Sequence, residues 1–351
     1  MAKTTKYPIK AAVLTSPNRP LEIRELRSEP LQSGQVLVKI LFSGVCRSQL
    51  MEIQGKRGED KWLPHLLGHE GSGIVEDIGP NVTKVKPGDP VILSWIKSNG
   101  IEANAAKYKF KNKIINSGPV TTFSNYSVVS ENRLVKKPDD IPFKTAILLG
   151  CALPTGGGMV HNELNISEDS SVAVLGLGGI GLSAVLMLIS KKVKNIIAID
   201  VSNQKLEKVL EWGVTNTFKA NDKDLISNIF KLTNGGLDFC IESAGKISTI
   251  ELGFSLLNKE KGHLLFASHP PEGEKISISP HELISGKKIS GSWGGATKPD
   301  LDFPIFSKIL MSNEKLLNSL ITKSYSLEEI NQAIEDLNAG SVFRPLIEMD
   351  H

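Results

Sequence analysis

With 351 residues, 40% of them hydrophobic and 23% charged, the chain is too long for one compact core and suits two soluble globular domains. A formal net charge of +3 gives no argument for nucleic acid or membrane as partner, so short basic runs such as residues 109–113 and 191–194 read as solvated surface. Three cysteines are too few, and odd in number, for a disulfide framework, and residues 1–10 carry neither an apolar core nor a cleavage signal; a cytoplasmic protein is expected.

Residues 1–152 form the first predicted domain. Short apolar runs alternate there with Gly, Pro and Asp-Gly-type breaks: Ala11-Ala-Val-Leu14, Gln35-Val-Leu-Val-Lys-Ile40, Gly73-Ile-Val-Glu-Asp-Ile78, Pro90-Val-Ile-Leu93 and Tyr126-Ser-Val-Val129. This pattern predicts a strand-rich, irregular, barrel-like fold. Three of its segments carry metal-ligand residue types. Cys46 lies in Gly44-Val-Cys-Arg-Ser-Gln49, His69 and Glu70 in Gly68-His-Glu-Gly-Ser-Gly73, and Cys151 in Leu149-Gly-Cys-Ala-Leu-Pro154. Zinc favours thiolate sulfur and imidazole nitrogen, and a catalytic site takes about three protein ligands while leaving a position open. Two Cys and one His meet that count.

Residues 153–297 change character, with apolar strands alternating with helical segments. Strands are predicted at Val172-Ala-Val-Leu175, Asn195-Ile-Ile-Ala-Ile199, Asp238-Phe-Cys-Ile241 and His263-Leu-Leu-Phe266, and helices at residues 202–211 and 225–231. Alternation of this kind implies a doubly wound parallel sheet, so the chain is read as α/β. Residues 171–190 are nearly uncharged over about the length of a membrane span, but the glycines Gly176, Gly178, Gly179 and Gly181 divide them into strand, tight turn and buried helix. Residues 298–351 are read as a return to the first domain, with helices at 305–311 and 327–339 and a strand at 343–347.

The run Gly176-Leu177-Gly178-Gly179-Ile180-Gly181 follows an apolar strand and opens an apolar helix, and Asp200 closes the next strand. Those are the contexts a dinucleotide fingerprint requires: glycines that turn tightly and approach a pyrophosphate, which sits on a helix amino terminus. A carboxylate at Asp200 accepts from ribose hydroxyls and repels a 2'-phosphate, which favours NAD over NADP.

Together these segments resemble the zinc-dependent alcohol dehydrogenases of the medium-chain dehydrogenase/reductase superfamily, over most of the chain. The strongest likeness is Gly68-His-Glu-Gly-Ser-Gly-Ile-Val-Glu-Asp-Ile-Gly79, the family's zinc-histidine stretch, followed by Cys151 with Pro154-Thr-Gly156. The resemblance implies a GroES-like catalytic domain and a Rossmann domain. It implies Cys46, His69 and Cys151 as ligands of one catalytic zinc, with Glu70 as the carboxylate that approaches the metal during exchange. Ser48 would take the alcohol proton. Arg47 and Arg344 would contact the cofactor pyrophosphate, Lys205 the adenosine ribose, and Thr155 would lie near the nicotinamide. Trp95 and Phe123 fall where the family lines its substrate pocket, and Trp293, within Gly291-Ser-Trp-Gly-Gly295, is a further candidate for it.

The expected reaction is reversible oxidation of a primary or secondary alcohol. Zinc lowers the pKa of bound water to about 7 and should act likewise on an alcohol, whose alkoxide then yields a hydride to the nicotinamide. A polyol, cyclitol or sugar-derivative dehydrogenase, or a cofactor-binding relative without turnover, are the alternatives. Relatives commonly pair along the edge of the nucleotide domain, so a homodimer is expected first and a homotetramer second.

Two departures stand out. The family commonly has Asp where this chain has Gln49, behind the zinc histidine, and often a histidine ending the proton relay where this chain has Met51. Many members also carry a cysteine-rich lobe binding a structural zinc; residues 94–117 contain no cysteine, so no structural zinc is expected. His65 is not read as a ligand, because Pro64 and Gly68 argue against a helix that would pair it with His69, and Cys240 is read as a buried strand residue.

Overall fold

The computed structural model of the chain describes residues 8–313, 320–321 and 323–351. It divides into two compact units, Met1–Cys151 with Lys298–His351, and Ala152–Thr297.

In the first unit the strand Gln35–Gly44 is the organiser. It pairs antiparallel with Glu70–Ile78, Tyr126–Ser130 and Pro345–Glu348. Its sequence is apolar nearly throughout because the strand divides two cores. Val36, Val38 and Ile40 pack with Leu14, Leu93, Phe123 and Ile347, whereas Leu37 packs on the opposite face with Ile9, Val13, Tyr108 and Val128. Successive side chains point to opposite faces, so a strand buried on both sides cannot alternate apolar with polar. Ile9–Leu14 is built the same way.

The polar strand Glu22–Ser28 and the short lobe strands Tyr108–Phe110 and Lys113–Ile115 belong to a second sheet, and their charged outward faces hid them from a hydrophobicity reading. The return segment adds two parallel strands, Lys323–Ser326 and Pro345–Glu348; the second joins Gln35–Gly44 through Leu346–Gly44, Ile347–Ser43 and Glu348–Phe42 pairs.

The second unit is a six-stranded parallel sheet in the spatial order Asn216–Lys219, Asn195–Asp200, Ser171–Leu175, Phe239–Glu242, His263–Phe266, Lys288–Gly291. Chain direction across the sheet reverses at Ser171–Leu175, the first strand, and the crevice beyond its carboxyl end is where such folds bind ligands. The ambiguous apolar stretch is the strand Ser171–Leu175 and the helix Gly179–Ser190, whose residues 181–188 are all buried. Among the described residues no single helix is long and apolar enough to cross a membrane.

Candidate metal centre and cofactor cradle

Cys46 caps the amino terminus of the helix Arg47–Ile53, immediately after the central strand. His69 directly precedes the strand Glu70–Ile78, and Cys151 follows a 3-10 turn, Ile147–Gly150. These three places, far apart in sequence, bring one ligand atom each to within 4.8 Å of the others. Cys46 Sγ lies 4.0 Å from Cys151 Sγ, and His69 Nε2 lies 3.2 Å from Cys151 Sγ. A tetrahedral zinc with ordinary bond lengths spaces two sulfurs about 3.8 Å apart, and sulfur from nitrogen about 3.6 Å. The donors therefore fit the ion in both type and span.

The electrostatics agree. A hydrogen bond from the Cys151 thiol, aided by the nearby Arg344 charge, holds Cys46 well below the usual thiol range, while Cys151 as donor is pushed well above it. The pair thus holds a thiolate at Cys46 and a thiol at Cys151, and it is the thiolate form that ligates a metal. Behind His69, Gln49 touches Nδ1 with its side-chain amide and accepts the Cys46 N–H at 2.9 Å through Oε1.

Glu70 is fully buried, and Arg344 Nη2 donates to its Oε2 at 2.6 Å, while Oε1 has no partner. Burial pushes the Glu70 carboxyl up to about 7 against the pull of Arg344. Arg344, which the resemblance implies at a cofactor pyrophosphate, is buried against Glu70, and beside it Val45 N–H donates to the Pro345 carbonyl at 3.1 Å. Two glycines make room for this carboxylate. A Cβ at Gly44 would lie 2.5 Å from Glu70 Oε1, and one at Gly150 2.6 Å from Glu70 Cβ. Sequence reading passed over both, although each sits one or two residues before a ligand cysteine. Ser48, on the first turn of its helix, has a buried Oγ without a hydrogen-bond partner, and Arg47 beside it is exposed.

In the second unit, Gly178 caps the helix Gly179–Ser190, and the first intrahelical bond runs from Leu182 N–H to Gly178 carbonyl. The amides of Gly179, Ile180 and Gly181 precede it and so lack helical acceptors. The glycines have separate jobs. Gly176 has φ +86° against Ala244, and a Cβ on Gly181 would lie 1.9 Å from Gly176 carbonyl oxygen, so these two close the turn. At Gly178 nothing lies within 4 Å of a Cβ, which leaves open the space an anion needs to reach the helix end.

Asp200 closes its strand as expected. Its Oδ2 accepts the Leu177 N–H at 2.6 Å and Oδ1 accepts Ser202 N–H at 2.9 Å, so it also anchors the glycine turn. Lys205 is half-buried on the following helix, Asn203–Glu211. Thr155 is buried on the helix Ala152–Gly158, whose Gly156 meets the glycine-turn helix at Ile180.

The proposed pocket residues are dispersed in character. Trp95 is half-buried and packs against the main core of the first unit, and Phe123 lies wholly inside that core. Trp293 is 70% exposed in the second unit, edge-on to His269. His65 is already engaged: Nδ1 contacts Leu66 carbonyl at 2.9 Å and Nε2 contacts Asp60 at 2.8 Å. Glu52 completes a second cluster with them and is neutralised in part by Arg57 at 3.7 Å. Cys240 is buried in the strand Phe239–Glu242.

Residues 32–139 match the family described as "Alcohol dehydrogenase GroES-like domain", and residues 179–312 match "Zinc-binding dehydrogenase". The chain is 32% identical to the class-3 alcohol dehydrogenase of Zea mays, across 97% of this chain and 96% of that one. It is 31% identical to an S-(hydroxymethyl)glutathione dehydrogenase of Escherichia coli, across 96% and 99%. The benzyl alcohol dehydrogenase of Acinetobacter calcoaceticus superposes with a TM-score of 0.88 at 29% identity, covering 98% of this chain and all of that one. Fold, paired cysteines and histidine, glycine turn and relatives thus agree: the chain belongs to the zinc-containing alcohol dehydrogenases of the medium-chain superfamily and is an oxidoreductase of that family.

Proposed function

We propose that the protein is an NAD-dependent dehydrogenase of primary alcohols with a single catalytic zinc. The observation that carries the reading is the convergence of Cys46, His69 and Cys151 at zinc-like spacing, beside a buried Ser48 hydroxyl without a partner. Held by these three side chains, zinc would act as the Lewis acid that acidifies the substrate hydroxyl, and NAD held on the glycine turn would accept the hydride. Ser48 Oγ accepts the hydroxyl proton. Glu70 Oε1, buried and unpartnered, is the oxygen free to move toward the metal site, and Arg344 holds the other oxygen while opposing the burial that raises this carboxyl. Arg47, exposed at the same helix start, supplies positive charge for a diphosphate.

Asp200 supports NAD over NADP, because a carboxylate beside the glycine turn repels a 2'-phosphate. Lys205 on the adjoining helix supports the adenosine ribose, and Thr155 the nicotinamide end. The cysteine-free lobe supports the absence of a structural zinc. The names of two relatives, for benzyl alcohol and for a hydroxymethyl thioether, favour a substrate with a terminal CH2OH group. Trp95 is proposed to face it. A homodimer, with a tetramer second, is supported by the edge strand Lys288–Gly291 near the exposed Ile284 and Trp293. Free cysteines fit the cytoplasm.

The test is purified protein of known zinc content assayed for NADH formation over a panel of alcohols, polyols and sugars, alongside Cys46→Ser. Loss of both zinc and NAD reduction in the variant is expected, with primary alcohols leading the panel. Turnover that survives without zinc would sink the mechanism, and a preference for NADP would sink the role of Asp200.

A further inference from the structure

Gln49 occupies a place where two donors compete for one acceptor. His69 Nε2 is the nitrogen facing Cys151 Sγ, so Nδ1 is the nitrogen facing Gln49. The other end of the same amide faces the backbone N–H of Cys46, which Oε1 accepts at 2.9 Å. Gln49 is 2% exposed, so bulk water cannot supply a missing partner on either side. With no metal, all groups are satisfied: Nε2 of Gln49 donates to the lone pair of His69 Nδ1, and Oε1 takes the Cys46 N–H.

A metal at His69 Nε2 changes the count. A neutral imidazole that ligates through Nε2 carries its proton on Nδ1 and becomes a donor there. The amide then faces a donor at each end with one oxygen to offer, whichever way it is turned. If Oε1 turns to His69, the amide NH2 opposes the Cys46 N–H; if it stays, the NH2 opposes His69 Nδ1–H. A carboxylate presents an acceptor to both.

We propose that Gln49 is a positioning residue whose side-chain amide turns over when zinc binds, giving its oxygen to His69 and leaving the Cys46 N–H without a partner. The helix Arg47–Ile53 therefore loses the cap bond at the moment its cap residue becomes a metal ligand, and the site holds zinc less tightly than its three ligands would allow. This rests on the zinc reading above.

The test compares wild type with Gln49→Glu. Zinc affinity, read by competition with a chromophoric chelator at neutral pH, is expected to rise about 10–100-fold in the variant, the range in which groups behind a metal ligand act. Amide exchange of Cys46, followed by NMR in the wild type alone, is expected to speed up on zinc addition, and this readout involves no added charge. Equal zinc affinity in the two proteins overturns the proposal while leaving the zinc site intact, as does a Cys46 amide equally or better protected with zinc. If neither protein binds zinc stoichiometrically, the zinc reading falls and the proposal with it. Should Gln49→Glu not fold, the wild-type exchange measurement decides.

Discussion

Two glycines three positions apart on one turn should behave differently when given the same methyl group. At Gly181 the methyl meets backbone, 1.9 Å from Gly176 carbonyl oxygen, and cannot be accommodated without moving the turn. Gly181→Ala is expected to destabilise the nucleotide unit by about 1–3 kcal/mol in urea titration and to weaken NAD binding with it. At Gly178 the methyl meets nothing within 4 Å, and the backbone has an ordinary φ of -86°. Gly178→Ala should melt like the wild type yet bind NAD less tightly by calorimetry, because the methyl fills the approach to the helix end; undiminished affinity would mean that the dinucleotide does not sit there. Glu242 makes a pH prediction in the same unit. Its carboxyl is fully buried, with Oε1 accepting from Ala244 N–H, Gly245 N–H and Thr249 Oγ1, and burial pushes its pKa above the usual carboxyl range. The folded state thus holds this proton to higher pH than the unfolded chain does. Its contribution to stability is fullest below the ordinary Glu pKa of about 4.3 and falls as pH rises toward the elevated folded value. The stability of wild type relative to Glu242→Gln should therefore decline as pH rises above about 4.5, and a rising difference would contradict the assignment.

The cysteine-free lobe is anchored by hydrogen bonds from side chains outside it. Glu131 is wholly buried; its Oε1 accepts Thr83 N–H and Lys84 N–H, and its Oε2 accepts Ile101 N–H, each at 2.7 Å. Burial pushes this carboxyl up, but the three N–H donors win and leave it below the usual range. Gln35 and Ser130 add bonds to Asn104 carbonyl and Ala103 N–H, so side chains outside the lobe fasten its first half. Replacing Glu131 by Gln turns a donor toward at least one of the three N–H groups. The expected cost is about 1.5–3 kcal/mol, the scale of a hydrogen bond to a charged group, with faster proteolysis confined to residues 95–117. Uniform proteolysis along the chain would assign Glu131 to the core instead. The sequence told that this stretch lacks cysteine, because residue types are read directly from it. It did not tell what anchors the stretch, because Glu131 is one acid among many until the backbone amides of residues 83, 84 and 101 converge on it. The same contrast runs through the metal site. Cys46, His69 and Cys151 were legible because few residue types bind zinc and each sits in a glycine-marked segment. The Glu70–Arg344 pair was not, since its partners lie 274 residues apart and only the strand pairing of the last segment joins them.

That last segment ties the end of the chain to the central strand of the first unit. The strand Pro345–Glu348 lies beside Gln35–Gly44, within a few residues of where the first ligand leaves that strand, so the end of the chain sets the position of Arg344 and, through it, of Glu70. Ile347 is completely buried in the main core of the first unit and pairs with Ser43, whose hydroxyl donates to Glu70 carbonyl at 3.1 Å. It is not one of the candidate ligands, yet it holds the wall on which they are set. Ile347→Ala is expected to cost about 2–5 kcal/mol, as for other large-to-small changes in a packed core. The consequence should be local to one unit. Zinc content per chain should fall, because loosening the strand lets Arg344 and Glu70 drift from the cysteines. NAD affinity should stay at the wild-type value, because the glycine turn, Asp200 and their sheet belong to Ala152–Thr297 and share no strand with the return segment. Metal analysis and calorimetric NAD titration on the same preparation separate the two. Loss of NAD binding in step with zinc would show that the units do not respond independently, and an unchanged zinc content would show that the closing strand is packing alone.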